Sequence, residues 1–142
     1  MDEAFDRRRR VVVGESGLGH YGQVAVARRH VLTADEPEGL GGKDTGPDPI
    51  ELLMTSLATC TAMTMRMYIN RKHLDVGKIT VIVEHEMPSR AARRESDLFV
   101  KTVHFEPAPE PDIVNRLLAI ADRCPVHQIL CGTPTIETLV EG

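Results

Sequence analysis

Three cysteines are the residues of this 142-residue sequence with the clearest potential for chemistry. Cys60 lies inside a long apolar segment, Cys124 stands directly before Pro125, and Cys131 comes near the end of the chain. A cysteine acts as a nucleophile only as a thiolate, and two neighbouring thiols can close a disulfide during a redox cycle. If the chain is an enzyme, these positions therefore point to thiol chemistry through Cys60 and Cys124.

Each cysteine also has a purely structural interpretation. Cys60 lies among Leu and Met residues and could be a buried core side chain. Cys131 is interpreted as a packing residue, with a backup resolving thiol as the alternative. Cys124 ends a predicted helix, where Pro125 biases it away from helical geometry and a thiol can be partly exposed. If the segment between Cys124 and Cys131 is helical, the two lie about 10 Å apart, which is too far for a disulfide.

Two histidines, His20 and His127, open two further possibilities. Cys124 and His127 have the spacing of two zinc ligands, but no second ligand pair stands at a recognisable spacing, so we expect no metal site. A hydrolase or transferase would instead need a histidine such as His20 or His127 within hydrogen-bond reach of Cys60. This possibility stays open at the level of sequence.

The predicted elements give these residues an α+β scaffold. β-branched runs separated by turns favour antiparallel hairpins, with helices packed against the sheet. We predict strands over residues 10–15, 23–28, 30–34, 78–86, 98–105 and 133–140, and helices over residues 51–72 and 112–123, with a short helical turn reaching Leu130. The length and the element order indicate one domain, residues 1–142.

The long helix has a clear start. Asp48 can cap it, Pro49 suits its first position, and Glu51 completes a capping box. From Leu52 to Met65 every residue is apolar or small and polar, so we expect the helix to be buried on most sides. For a chain of this length, that expectation favours either a dimer or a sheet wrapped around the helix.

Composition restricts the partners. The net charge of -4 and the 27% of charged residues indicate a globular protein and argue against nucleic acid as the main partner. The arginine run 7–10 is interpreted as an exposed segment before an edge strand, with nucleic-acid or membrane binding as the alternative. No apolar stretch reaches the roughly 18 residues of a membrane span, and we find no secretory signal. We therefore expect a cytoplasmic protein that binds neither nucleic acid nor membrane.

Two segments together resemble the OsmC/Ohr family of osmotically inducible and organic-hydroperoxide-resistance proteins. Residues 41–53 and 57–62 resemble the family's first-cysteine region, and residues 121–127 resemble its second-cysteine segment. The order of strands and helices is similar over nearly the whole chain. The resemblance implies an OsmC-like fold, an intertwined homodimer in which antiparallel sheet from each subunit wraps around two long central helices.

The same resemblance implies a thiol-dependent peroxidase that reduces organic hydroperoxides in peroxide stress defence. By residue-to-residue transfer, Cys60 attacks the peroxide and Cys124 resolves the resulting sulfenic acid as a disulfide. An external thiol then reduces the disulfide, and no other cofactor is implied. Glu51 and His127 are the candidate supporting residues. The implied partners are a second copy of the chain, the hydroperoxide and the thiol reductant.

The sequence departs from the family's well-characterised peroxidases in two places. Those enzymes have a glutamate directly after the first proline of the helix, where this chain has Ile50, and Glu51 follows about 100° further around the helix. They also have an arginine that holds the thiolate in the first turn, here residues 17–22, which contain none. The histidine after Cys-Pro-Val, His127, instead resembles the pattern of a less-characterised OsmC-like branch. The alternative function is thus a catalytically weak protein that binds or senses an apolar small molecule at the dimer interface.

Overall fold

The strands of this chain are antiparallel, and they form two sheets with helices beside them. A computed structural model of the protein describes residues 8–142, and its residues cluster into two compact units, one up to Leu52 and one from Leu53 onward. The predicted α+β class with antiparallel strands is confirmed. Instead of a single sheet, the described part of the chain forms one three-stranded and one two-stranded sheet.

The first unit contains a three-stranded meander. Its strands, in the spatial order β1-β2-β3, are β1 (Val11–Glu15), β2 (Gln23–Ala27) and β3 (His30–Ala34). Ala25 in the central strand pairs with Val13 on one side and Leu32 on the other. β1 is therefore an edge strand, as predicted. The arginines at 8–10 that precede it are exposed, and Arg7 lies outside the described residues.

Helix α1 (Pro49–Arg71) begins where the sequence predicts it. The Asp48 carboxylate accepts a hydrogen bond from the Glu51 backbone N–H at 2.8 Å, and the Glu51 carboxylate accepts one from the Asp48 N–H at 3.1 Å. This reciprocal pair is a capping box that satisfies two amide donors otherwise left without partners at the helix start. Pro49 needs no amide partner at the first helical position.

The second unit contains the rest of α1, a β-hairpin and two short helices. The elements are β4 (Lys78–Glu86), β5 (Leu98–Glu106), α2 (Pro111–Ala121) and α3 (Pro125–Cys131). Ile79, Val81 and Val83 share the more buried face of β4, as their alternation predicts. The core of this unit combines residues from α1, the hairpin and α2, namely Met65, Ile69, Val76, Phe105, Leu117 and Ala121.

One stripe of α1 is buried within the single chain. Its members stand four residues apart, which places them on one helix face, and they are Leu57, Thr61, Met65 and Ile69. On other faces, Met63 and Met67 are 60% and 69% exposed, so one chain does not bury the helix on most sides. Despite its 23 residues, α1 does not have the apolarity that crossing a membrane requires, and neither does any other helix formed by residues 8–142.

The predicted strand over residues 133–140 is wrong for the single chain. The segment has no regular secondary structure, and Ile136, Leu139 and Val140 are 85%, 89% and 94% exposed. A β-prone sequence forms a strand only when a neighbouring strand accepts and donates its backbone hydrogen bonds. Residues 8–142 of one chain provide no such neighbour for this segment.

Candidate active site

The fold brings two of the three cysteines together. Cys60 on α1 and Cys124 just before α3 lie close enough to interact directly, and the interaction raises the pKa of Cys60 and lowers the pKa of Cys124. Cys60 is half-buried, whereas Cys124 is completely buried and not partly exposed as its helix-end position predicts. Cys131 is exposed, so its interpretation as a packing residue is also wrong for the single chain.

The segment 124–127 is shaped to hold the two sulfurs. Cys124 is the N-cap residue of α3, and its sulfur accepts a hydrogen bond from the His127 backbone N–H at 3.3 Å. Pro125 has no N–H and occupies the first helical position without cost. The next free amide, that of Val126, acts as a hydrogen-bond donor to Cys60. Consecutive amides at the start of α3 are thus directed at the two different thiols.

Lys101 on β5 brings a positive charge to the same place. Its Nζ lies 2.9 Å from the Ala121 carbonyl oxygen, 2.9 Å from His127 Nδ1 and 3.3 Å from Thr61 Oγ1. An ammonium group has three protons, and three acceptors surround it here. Asp122 Oδ1, at 3.6 Å, adds an ion pair. The Lys101 side chain is only 11% exposed, so this is a nearly buried and fully partnered cation.

Thr61 connects the lysine to the thiol pair. Its hydroxyl is buried, accepts from Lys101, and lies 2.8 Å from the Leu57 carbonyl oxygen and 3.6 Å from Cys124 Sγ. A hydroxyl has one proton and two lone pairs, so it can accept from a Cys124 S–H or donate to a Cys124 thiolate. Thr61 can therefore satisfy the sulfur in both protonation states.

The environment separates the acidities of the two thiols. Burial raises the pKa of Cys60, and the hydrogen bond to Cys124 and the negative charge there raise it further, against opposing hydrogen bonds from Val126 and Thr64. Burial alone would also raise the pKa of Cys124. Donors from His127, Thr61 and Cys60, together with the Lys101 charge, outweigh burial and lower the Cys124 pKa below its ordinary value. Of the two thiols, Cys124 is therefore the more acidic, and a negative charge on the pair is favoured there.

The structure brings together only some of the predicted site residues. Cys60, Cys124 and His127 lie together, whereas Glu51 belongs to the first unit, where its carboxylate completes the capping box. Sequence reasoning missed Lys101 and Thr61. The sequence contains one feature that could have identified Lys101. It shares the inward-facing side of β5 with Phe99, Val103 and Phe105, and a charged residue is rare at such a position unless it has a partner.

The geometry bears on two alternatives, a hydrolase or transferase with a histidine base and a metal site. Because the Lys101 ammonium can only donate, His127 Nδ1 accepts from it and the ring proton is on Nε2. The lone pair of Nδ1 is thus occupied, and it cannot act as the base for Cys60. No group of three or more His, Cys, Asp or Glu side chains within residues 8–142 has an arrangement that could hold a metal ion.

Comparison with known proteins agrees with this architecture. A family profile described as OsmC-like protein matches residues 41–139, whereas the curated proteins give no match. A Psychrobacter arcticus structure described as an osmotic stress induced and detoxification response protein has 21% identity and a TM-score of 0.72, with 88% of this chain and 90% of that one covered.

Two further solved structures are similar in fold. An OsmC-like protein from Mycoplasma pneumoniae has 19% identity and a TM-score of 0.67, with 89% of each chain covered. An organic hydroperoxide resistance protein, OsmC, from Legionella pneumophila has 16% identity and a TM-score of 0.62, with 88% of this chain and 90% of that one covered. The family match spans well over half of the sequence and contains both Cys60 and Cys124, and the chain belongs to the OsmC-like protein family.

Proposed function

We propose that this protein is a thiol-dependent peroxidase that reduces organic hydroperoxides through Cys60 and Cys124. The observation that carries the proposal is the proximity of these two thiols, which interact directly although they come from separate helical segments. A sulfenic acid formed on either sulfur would have a resolving thiol as its neighbour. Structural neighbours described as organic hydroperoxide resistance proteins, including the Legionella pneumophila protein, support the substrate class.

Exposure and charge together suggest the order of events. Only Cys60 of the pair has exposed surface, so Cys60 is the sulfur that meets the peroxide. Cys124, the more acidic of the two thiols, acts as a thiolate and takes the Cys60 proton as the reaction begins. A thiolate with the higher pKa is intrinsically the better nucleophile, so the raised pKa of Cys60 is compatible with this role once its proton has moved.

The first chemical step forms a sulfur–oxygen bond. The Cys60 sulfur attacks the terminal peroxide oxygen, the O–O bond breaks, and Cys60 becomes a sulfenic acid while the peroxide is reduced. The departing alkoxide recovers the proton held on Cys124 and leaves as an alcohol. This proton return regenerates the Cys124 thiolate beside the new sulfenic acid.

The second step forms the disulfide. The Cys124 thiolate attacks the Cys60 sulfur, and hydroxide leaves and takes up a solvent proton to become water. Two external thiols, or one dithiol, then supply two electrons and two protons to the disulfide, and Cys124 releases one proton to solvent, which restores the reduced pair. No bound cofactor takes part in this cycle. A cytoplasmic location, where thiols are kept reduced, suits the regeneration step.

The proposal includes assembly with a second copy of the chain. Met63 and Met67 on α1 and the apolar residues of segment 133–140 are exposed in one chain, and large exposed apolar surface favours association. An OsmC-like homodimer would cover such surface. Light scattering or sedimentation should give twice the 15.7 kDa chain mass, and a monomer at micromolar concentration would argue against the dimer.

One observation favours a second candidate function. The raised pKa of Cys60 leaves little of this thiol ionised at neutral pH, which would suit an unreactive thiol in a protein that binds or senses an apolar small molecule. The two candidates differ in turnover. A peroxidase consumes hydroperoxide catalytically with a dithiol, whereas a binding protein does not.

The test measures reduction of cumene hydroperoxide and of hydrogen peroxide with excess dithiol. We expect turnover by the wild type, none by Cys60→Ser, and loss of the intramolecular disulfide in Cys124→Ser. The matched control is Cys131→Ser, which removes the exposed cysteine and should retain full activity. A wild type no faster than Cys60→Ser would reject the peroxidase and favour the binding protein.

A further inference from the structure

The Lys101 ammonium is not used in the cycle described above, although it is nearly buried beside the thiols. Desolvating a charge is costly, so a lysine with 11% side-chain exposure needs a compensating set of partners. Three acceptors and the Asp122 carboxylate supply that set, and they come from α1, the end of α2 and α3. Partners from these three elements thus hold the Lys101 ammonium in a fixed position near Cys124.

We propose that Lys101 is a positioning residue that holds the negative charge on Cys124, and that the Thr61 hydroxyl transmits its effect to the sulfur. This inference deepens the proposed function, because it identifies the source of positive charge for the thiol pair. Residues 17–22 contain no arginine to supply that charge. The cation comes instead from the inward-facing position of β5.

The hydrogen-bond geometry gives a path for the effect. Lys101 Nζ is 3.3 Å from Thr61 Oγ1, which is 3.6 Å from Cys124 Sγ. The ammonium nitrogen is therefore within about 7 Å of the sulfur, less than the roughly 8 Å screening length at physiological salt. When Lys101 donates to the Thr61 oxygen, it polarises the hydroxyl and strengthens its donation to a thiolate.

The Thr61 proton has two possible positions. With a Cys124 thiol, the hydroxyl accepts from sulfur and donates to the Leu57 carbonyl. With a thiolate, it turns its proton to sulfur, and the Leu57 carbonyl can keep its ordinary helical partner. Ionisation of Cys124 therefore costs one hydroxyl rotation and leaves neither the thiolate nor Thr61 without a partner.

The other ionisable groups around Cys124 do not replace the lysine. Cys60 on α1 brings no positive charge to Cys124, and His127 on α3 accepts the ammonium proton through Nδ1. Asp122 after α2 is negative and is 69% exposed. Among these neighbours, Lys101 on β5 is the positive one.

The experiment titrates the Cys124 thiol alone. A Cys60→Ser, Cys131→Ser background leaves Cys124 as the one cysteine of the chain. Thiolate absorbance at 240 nm is followed against pH in this background and after adding Lys101→Met, Lys101→Arg, Thr61→Val or Thr61→Ser. The matched control is Lys78→Met, which removes an exposed lysine from the neighbouring strand β4.

We expect Lys101→Met to lower the thiolate fraction at neutral pH about tenfold, the low end for losing a nearby opposite charge. Thr61→Val should lower it in the same direction, whereas Lys101→Arg, Thr61→Ser and Lys78→Met should stay near the parent. An unshifted titration in both folded Lys101→Met and folded Thr61→Val would overturn the proposal. If Lys101→Met does not fold by circular dichroism, the two Thr61 variants decide the question.

The titration needs no peroxide, which separates this inference from the proposed function. A shifted titration in a protein without peroxidase turnover would support the role of Lys101 and reject the peroxidase. Turnover together with unshifted titrations would support the peroxidase and reject the role of Lys101.

Discussion

Replacing the Thr61 hydroxyl with a methyl group tests the site through stability. Thr61→Val keeps the side-chain shape, and simple area counting predicts a gain of about 0.8 kcal/mol for the added buried apolar group. The polar contacts predict the opposite. Thr61 is completely buried, and its oxygen accepts from the Lys101 ammonium at 3.3 Å and lies 2.8 Å from the Leu57 carbonyl.

The hydrogen-bond energies exceed the apolar gain, so Thr61→Val should lower the free energy of unfolding. A hydrogen bond to a charged group contributes about 1.5–3 kcal/mol, and a neutral one about 0.5–1.5 kcal/mol. After subtraction of the apolar gain, we expect Thr61→Val to destabilise the protein by about 2 kcal/mol. Thr61→Ser keeps the hydroxyl and loses one methyl, for which about 1 kcal/mol is the expected cost. Valine should thus be the more damaging substitution.

The assay is urea denaturation of the reduced protein at neutral pH. Thr59→Val is the matched control on the same helix, because Thr59 is exposed and its hydroxyl bonds only backbone carbonyls of α1, and the change should stay within about 0.5 kcal/mol. If Thr61→Val is as stable as Thr61→Ser or more stable, the hydroxyl does not hold the buried ammonium and the reasoning is refuted.

Three further changes test the scaffold. Arg66→Met removes two bonds, 3.1 Å to the Val76 carbonyl and 2.6 Å to the Gly77 carbonyl, and should cost about 2 kcal/mol in urea denaturation. Leu117→Ala empties a completely buried site and should cost about 3 kcal/mol, whereas exposed Leu118→Ala should cost less than about 1 kcal/mol. Hydrogen bonds from Thr45, Glu36 and Lys43 lower the pKa of Asp35, so its stabilising effect is complete above pH 3.8 and is lost as pH falls through the lowered pKa. The stability difference between wild type and Asp35→Asn should shrink over that acidic range; a constant difference would contradict this.

Local patterns predicted most of the fold. The alternation of Ile79, Val81 and Val83 predicted β4 over the residues that the structure gives it, and the Asp48–Glu51 capping box predicted the start of α1. The segment 133–140 failed because β-propensity does not reveal whether a partner strand exists. A strand depends on hydrogen bonds to another segment, which its own sequence does not specify.

The site was predictable only in part. Resemblance to a family identified Cys60 and Cys124, and the Cys-Pro-Val-His segment included His127. Lys101 was missed because its role depends on acceptors from three other elements that are distant in sequence. The burial of Cys124 was missed for a related reason. Local rules describe the helix end correctly, but packing from α1 and β5 decides whether that end reaches solvent.

The partners of Lys101 also suit a site whose charge changes during turnover. In the proposed cycle the ammonium balances a Cys124 thiolate in the reduced state, whereas a Cys60–Cys124 disulfide is neutral. Asp122 Oδ1 remains 3.6 Å from Lys101 Nζ as a permanent anion, and the Ala121 and His127 acceptors do not depend on the sulfur. The ammonium therefore keeps its charge compensation when the thiolate disappears, which avoids leaving a buried, unpaired cation. A positive charge that persists in the oxidised state also favours the thiolate that reduction must regenerate on Cys124. The lysine is thus compatible with both halves of the proposed cycle.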